Sequence, residues 1–306
     1  MKRVYFLFFL ALLAACQKNG KLPPINHDTD LDGPQINDSS LVNPAGFLLS
    51  AAIPQPTQSD LDKKVIIAVH GFSASNFEWQ ELASWAKTKN DLLVSRVLLG
   101  GHGRDYEDFR KATWKDWQKP IIDEYNQLSS LGYRHIYIAA SSTGCPLVLE
   151  AIKEKKISGG NLYKLFFIDP IVIPSNKLLP LIPLLGGTVI NYSESNMEAG
   201  ENGYWYRFRP HQALRELNKI THHTRKLLEK GITLPASLRL KVFKSEHDDA
   251  ADPLSAALIE KGVKGCEVKM IDSDLHVFTR LKGRNTISDK DKSTQQQVFE
   301  EIYNSL

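Results

Sequence analysis

Beyond residue 45 the chain alternates short apolar runs with longer stretches of helical spacing. Strand-sized runs recur at Lys64–Val69, Leu92–Leu98, His135–Ala140, Lys164–Ile168, Leu238–Phe243 and Glu267–Ile271. Helical periodicity fills gaps between them at Thr113–Leu131, Thr143–Lys155 and Pro253–Lys261, and a final helical pattern covers Ser293–Tyr303. Strands alternating with helices predict an α/β fold with a mostly parallel, doubly wound sheet covered on both faces. One interval breaks the rhythm. From Asp169 to about Thr233 the chain runs through an apolar stretch, Leu178–Gly187, interrupted by Pro180 and Pro183. A polar and aromatic piece follows, with Tyr204, Trp205, Tyr206 and Phe208, and then a helical pattern from Pro210 to Lys230. This is too long for one crossover, so residues of about 170–233 are expected to form an insertion over the sheet.

The N-terminal pattern differs. Lys2 and Arg3 precede 12 uncharged, mostly large apolar residues, Val4 to Ala15. A bilayer span needs about 20 such residues, so this segment has the length of a signal-peptide core. It ends in Leu13-Ala14-Ala15-Cys16, which resembles the lipobox of bacterial lipoproteins. The resemblance implies cleavage before Cys16 and lipid on that residue. Gln17, with no acidic run after Cys16, implies by the same resemblance a place in the cell envelope, on the outer membrane facing the periplasm. Residues 17–45 are rich in Asn, Asp, Gly, Pro and Ser and poor in large apolar residues. They are expected to be a flexible tether, with the folded domain at 46–306.

Composition narrows the function classes. The 306 residues hold 38 Lys and Arg against 35 Asp and Glu, and without Lys2 and Arg3 the balance is 36 against 35. Such a chain offers no electrostatic footprint for nucleic acid. Apart from Cys16, the cysteines are Cys145 and Cys266, with no Cys/His spacing for zinc. They are read as two buried free thiols, and no metal or organic cofactor is expected.

The chemistry concentrates at strand ends. The run His135–Ala140 leads into Ser141-Ser142-Thr143-Gly144 and then a helical pattern. A nucleophile elbow needs this context: the serine sits on a tight strand-to-helix turn, with small residues two before and two after it. Centring on Ser142 gives Ala140 and Gly144 those places, whereas centring on Ser141 would put Thr143 where glycine is needed. Ser142 is therefore the candidate nucleophile. Upstream, Val65–Val69 ends in His70-Gly71-Phe72, where a loop can supply one oxyanion N–H, the other coming from the residue after the nucleophile. The expected donors are the backbone amides of Phe72 and Thr143. His70, and His102 in Gly100-Gly101-His102-Gly103, are read as structural. Downstream, Leu238–Phe243 is followed by Asp248, Asp249 and Asp252, and Glu267–Ile271 by His276. A carboxylate past a strand end can orient an imidazole and stabilise its cation. Ser142, Asp248 and His276 then follow the chain order Ser–Asp–His. Asp169, at the end of the strand after the elbow helix, competes for the acid's place.

From about Lys63 to the C-terminus these pieces resemble the small bacterial carboxylesterases and monoacylglycerol lipases of the α/β-hydrolase superfamily. The matching motifs are V-H-G-F at Val69–Phe72, G-G-H-G at Gly100–Gly103, W-x-x-W at Trp114–Trp117, the elbow at Ala140–Gly144, H-D-x-x-x-D-P at His247–Pro253 and L-H-V at Leu275–Val277. Alanine stands at 140 where the family has glycine. The resemblance selects Asp248 as the acid and likens Pro210–Lys230 to the last helix of a cap. It implies a serine ester hydrolase of small ester or lipid-like substrates, working through an acyl-enzyme. Ile171–Pro174 and Leu178–Leu185 are then candidates for an acyl pocket. Thioester cleavage, or a non-catalytic surface lipoprotein on the same fold, are the competing readings.

Overall fold

The structure is a computed structural model that describes residues 30–33, 39–176 and 191–306. The expected signal segment, Cys16 and the run Leu178–Leu185 lie outside the described residues. The main sheet has six parallel strands: β1 (Lys64–Val69), β2 (Leu92–Val97), β3 (His135–Ser141), β4 (Leu162–Ile168), β7 (Arg239–Ser245) and β8 (Cys266–Ile271). Their spatial order is β2-β1-β3-β4-β7-β8. Between β4 and β7, β5 (Tyr192–Glu194) and β6 (Phe208–Pro210) form a small antiparallel hairpin. The helices that matter here are α1 (Gln80–Ala86), α2 (Tyr106–Lys111), α3 (Trp114–Ser130), α4 (Gly144–Lys153), α5 (His211–Lys230), α6 (Leu254–Gly262) and α7 (Asp289–Asn304).

Alternation along each strand splits the core into two. Ile66, Ala68, Ala139, Phe166 and Phe243 face one way and pack with Leu82 of α1 and Phe299 and Ile302 of α7. Val65, Ile67, Ile138, Phe167 and Val242 face the other way, toward Trp117 and Ile121 of α3 and Leu147 of α4. Both faces are dry along the central strands β1, β3 and β7, which is why those strands read as apolar runs. The helix α3 starts on a capping box: the Thr113 side chain accepts from the Asp116 amide while Asp116 accepts from the Thr113 amide. The last helix starts at Asp289, four residues before its apolar periodicity, because Ser288 and Asp291 form a second such box.

One expectation needs correction. Part of the stretch expected to be a tether is packed on the domain. Leu31 and Asp32 are buried, as is Leu41, and the Asp32 carboxylate accepts from the Arg207 and Phe208 amides at 3.0 and 2.9 Å. A polar composition does not prevent docking when one leucine finds a hydrophobic seat and one carboxylate meets free amides. The helix likened to the end of a cap, α5, packs beside α4 and α6 in the layer over the sheet. It closes the crossover to β7, and the β5–β6 hairpin is the part that reaches the strand ends.

Candidate active site

All six strands are parallel, so their C-terminal ends lie along one edge. The loops after β1, β3, β4, β7 and β8 meet there, the usual place for a site in an open α/β sheet. Ser142 follows β3 with φ +47°, a left-handed conformation that costs a non-glycine residue roughly 1–3 kcal/mol. Its amide donates to the Ile168 carbonyl at 2.9 Å, which pins the turn. The small neighbours are required by contact. A Cβ on Gly144 would stand 2.8 Å from the Val69 carbonyl oxygen and 2.9 Å from that of His70. One on Gly71 would stand 2.9 Å from the Ser142 Cβ. Ala140 is fully buried, so its methyl is accommodated where the family has glycine.

His276 Nε2 lies 2.9 Å from Ser142 Oγ, and its Nδ1 lies 2.8 Å from Asp248 Oδ2. The other Asp248 oxygen accepts from the Ala250 and Ala251 amides at 2.8 and 3.0 Å. Burial opposes ionisation of Asp248, but hydrogen bonds and charges from His276 and Lys244 outweigh it and hold the carboxyl well below the ordinary range. Burial likewise acts to lower the His276 pKa, yet the Asp248 bond and the charges of Asp248 and Asp169 win, so the imidazole titrates above the ordinary 6.5. With Asp248 holding Nδ1–H, the Nε2 lone pair faces Ser142. The amides of Phe72 and Thr143 have no hydrogen-bond partner among the described residues. They flank the serine from the β1 loop and the start of α4.

Asp169 occupies a different place. Fully buried, it accepts from Lys244 Nζ at 3.1 Å, the Ser245 amide at 2.7 Å and the Val277 amide at 2.9 Å. With the Ser245 hydroxyl at 3.1 Å that makes four donors and no imidazole, a brace for the loop that carries His276. Val277, a β-branched residue at φ +54°, is held in that conformation by the bond. Asp169, Asp248 and His276 each offer an atom within 4.8 Å of the others, a spacing that could hold a cation. The cation there is Lys244, fully buried, with Nζ 2.5 Å from Asp248 and 3.1 Å from Asp169. A second such group, Glu246, His247 and Asp272, is exposed.

No protein-family model matches the chain. It is 24% identical, over 227 residues, to a thermostable monoacylglycerol lipase of Bacillus sp. (strain H-257), covering 70% of this chain and 83% of that protein. It superposes on the monoacylglycerol lipase of Paleococcus ferrophilus with a TM-score of 0.60 at 13% identity, over 78% of this chain and 94% of that one. For a soluble variant of the Saccharomyces cerevisiae monoglyceride lipase the TM-score is 0.59 at 10% identity, over 79% and 85%. The chain has the α/β-hydrolase fold.

Within that α/β-hydrolase frame His70 and His102 hold structural places. His70 Nδ1 lies 2.8 Å from the Gly71 carbonyl, and its Nε2 accepts from the Leu99 amide at 3.0 Å. The bond accepted at Nε2 requires the neutral ring, and burial lowers its pKa to about 4. His102 sits among Phe72, Phe109 and Trp117, and burial first, then the nearby His70, holds its pKa well below the ordinary value. Both cysteines are free, but only Cys145 is buried; Cys266, at the start of edge strand β8, is half-exposed. Residues not singled out in the sequence also shape the site. Glu78 is buried behind the serine and accepts from the Gly71 amide at 2.9 Å and from the Ser141 hydroxyl. It thereby ties the Phe72 loop to β3, and burial raises its pKa. Its signal in the sequence is weak: one acid among aromatics in Asn76-Phe-Glu-Trp79. Lys244 is equally hidden, one of three cations in β7 with Arg239 and Lys241.

Proposed function

We propose that this chain is a serine carboxylic-ester hydrolase of the monoacylglycerol-lipase and carboxylesterase kind. The observation that carries the reading is the unbroken relay from Ser142 Oγ through His276 to Asp248, at 2.9 and 2.8 Å, on a strained elbow beside two open amides. In this reading His276 takes the Ser142 proton as Oγ bonds the acyl carbon. The Phe72 and Thr143 amides hold the oxyanion, a charge that preformed donors stabilise by several kcal/mol. Collapse breaks the ester C–O bond, and His276 returns its proton to the departing alkoxide. Water then repeats the sequence on the acyl-enzyme and frees the acid. The lipases and esterases it resembles support the ester as substrate. A non-catalytic role gives no reason to retain a strained serine. Ser142→Ala should abolish hydrolysis of p-nitrophenyl butyrate and labelling by a fluorophosphonate probe, while Ser141→Ala should leave substantial activity. The reverse result would move the nucleophile by one residue and sink this assignment.

The proposal extends to the N-terminus. A charged start, a 12-residue apolar core and Cys16 support a lipid tether that holds the domain at the cell envelope. Mass spectrometry of the mature N-terminus tests it: a diacylglyceryl group on Cys16 is expected, and an unmodified N-terminus on soluble wild-type protein refutes the tether.

A further inference from the structure

The cavity above Ser142 and His276, about 250 Å³, is poorly suited to an alkyl chain alone. Its wall carries the guanidiniums of Arg209, Arg280 and Arg284, brought together by β6 and the loop after His276. Arg280 is 7% exposed. It stacks on Trp205 with 4.7 Å from guanidinium carbon to ring centre and pairs with Glu201 at 2.7 Å. Its Nε is buried with no partner among the described residues. The Nε of Arg209 is also buried and unpartnered, and that side chain makes one described hydrogen bond, from Nη2 to Ser195 Oγ at 3.0 Å. Arg284 spends two donors on the carbonyls of Arg280 and His276, at 2.9 and 2.6 Å. Neither Arg209 nor Arg284 has a carboxylate within 4.0 Å among the described residues.

The acids nearby do not close this account: Asp32, whose charge acts on Arg209, has its two oxygens on the Arg207 and Phe208 amides. Glu201 is taken by Arg280, and Glu198 accepts from the Asn285 amide. Glu78 is favoured in its neutral form by burial. Burial, then the charge of Arg280, draws Arg284 down to about 10, although the charges of Glu201, Glu198 and Glu78 act the other way. A buried guanidinium has five N–H donors in a fixed fork and cannot shed its proton to escape. The two buried Nε–H donors of Arg209 and Arg280, without partners beside a nucleophile, are costly unless something anionic arrives.

We infer that the preferred ester carries an anionic group, carboxylate or phosphate, held by Arg209 together with Arg280 and Arg284. The inference rests on the ester-hydrolase reading and names its substrate class. Carboxylate and phosphate oxygens both match the guanidinium fork, and the anion can sit on the acyl or the alcohol side. The test compares matched pairs on the full chain: mono-p-nitrophenyl glutarate against p-nitrophenyl pentanoate, and 1-butyrylglycerol 3-phosphate against 1-butyrylglycerol. Wild type should favour the anionic member of at least one pair by about tenfold or more in kcat/KM, the worth of a charge-assisted contact. The pair that shows the preference identifies the side and the anion. Arg209→Gln should cut the ratio to within about threefold of one, and Arg209→Lys should keep part of it. A ratio is insensitive to how much of a variant is folded. If both pairs give ratios near one, or favour the neutral ester, the inference is overturned and the hydrolase reading stands. If no ester is cleaved, calorimetric titration of the wild type with glutarate and glycerol 3-phosphate decides. Saturable binding weakened about tenfold by Arg209→Gln keeps the anion site without the hydrolase, and no binding removes both.

Discussion

Asp248 and Asp169 both end strands beside His276, and replacing each by asparagine should give opposite signatures. At Asp248 every neighbour of the carboxylate is a donor: His276 Nδ1 and Lys244 Nζ on Oδ2, the Ala250 and Ala251 amides on Oδ1. An asparagine must point its NH2 at one of those sets. Facing His276, it forces the imidazole into the tautomer whose Nε2 carries the proton, and the base for Ser142 is lost. Facing the two amides, it loosens the loop that sets the carboxyl in place. Loss of the orienting carboxylate is worth roughly 10²–10⁴ in kcat, or about 2.7–5.4 kcal/mol in the barrier. At Asp169 the neighbours are Lys244, the Ser245 amide and hydroxyl and the Val277 amide, so Asp169→Asn breaks a buried ion pair and releases a strained loop. Breaking a buried pair costs about 3–5 kcal/mol, which for a domain of this size lowers Tm by roughly 6–20 °C. Lys244 keeps Asp248, so the lower end of that range is expected. Below its unfolding temperature Asp169→Asn should retain kcat within about tenfold of wild type. Initial rates on p-nitrophenyl butyrate and thermal unfolding of both variants measure this. If Asp169→Asn loses as much kcat as Asp248→Asn with Tm unchanged, Asp169 is the orienting acid and the assignment is wrong.

The acid limb of kcat/KM should lie above pH 6.5, because the base works only when neutral and His276 titrates above its ordinary value; activity falls as pH drops through that limb. Asp248→Asn should move the limb to lower pH in a pH–rate profile, and an unmoved limb would mean that the carboxylate does not set it. Glu78→Gln should keep most activity, since it copies the neutral acid, whereas Glu78→Ala leaves the Gly71 and Ser141 donors unmet at about 1–3 kcal/mol each. Glu78 has a folded pKa raised above 4.5, so its stabilising share is full below that value and lost as pH rises through the raised one. Thermal unfolding of Glu78→Gln should therefore decline less toward alkaline pH than wild type. A chain beginning at Asp30 should unfold with the full chain, while one beginning at Gly46 should unfold several degrees lower. It loses Leu31 and Leu41, each worth about 1.5–3 kcal/mol of burial, and the Asp32 bonds to β6. Equal melting temperatures would show that the docked segment contributes nothing.

The strands were legible because a sheet dry on both faces demands long apolar runs, and the site because elbow chemistry restricts residue size. Gly144 and Gly71 leave no room for a Cβ, so small residues around Ser142 announce the turn in the sequence itself. The order Ser142, Asp248, His276 was readable for the same local reason: each ends or follows a strand. What stayed hidden depends on contacts between distant segments. Nothing around Lys244 tells that its ammonium enters a buried gap between Asp169 and Asp248. Arg209 belongs to a three-residue strand, and Arg280 and Arg284 to a loop some 70 residues later. Their meeting over the nucleophile has no periodicity to read. Leu31 and Asp32 were hidden in a subtler way, since a segment of average polar character docks through a few side chains, with Leu41 the third among the described residues.

Backbone strain shows how the fold supports this chemistry. Of the non-glycine residues with positive φ among those described, Ser73, Ser142, Asp169 and Val277 surround the cavity or its brace, and only Lys155 lies apart, at the end of α4. Each costs roughly 1–3 kcal/mol, and such conformations persist only where neighbours over-determine them. The neighbours are identifiable. Tyr206 donates its amide to the Ser73 carbonyl at 2.9 Å, Ile168 accepts from Ser142, and Phe243 accepts from Asp169 at 2.9 Å. Val277 is held by the Asp169 carboxylate. Two of these anchors are strand residues of β4 and β7, fixed by the dry core on the face that α1 and α7 cover. The energy that aims Ser142 and His276 thus comes from apolar packing remote from the chemistry. This explains why a single buried lysine and aspartate at the strand ends can transmit that rigidity to the histidine loop.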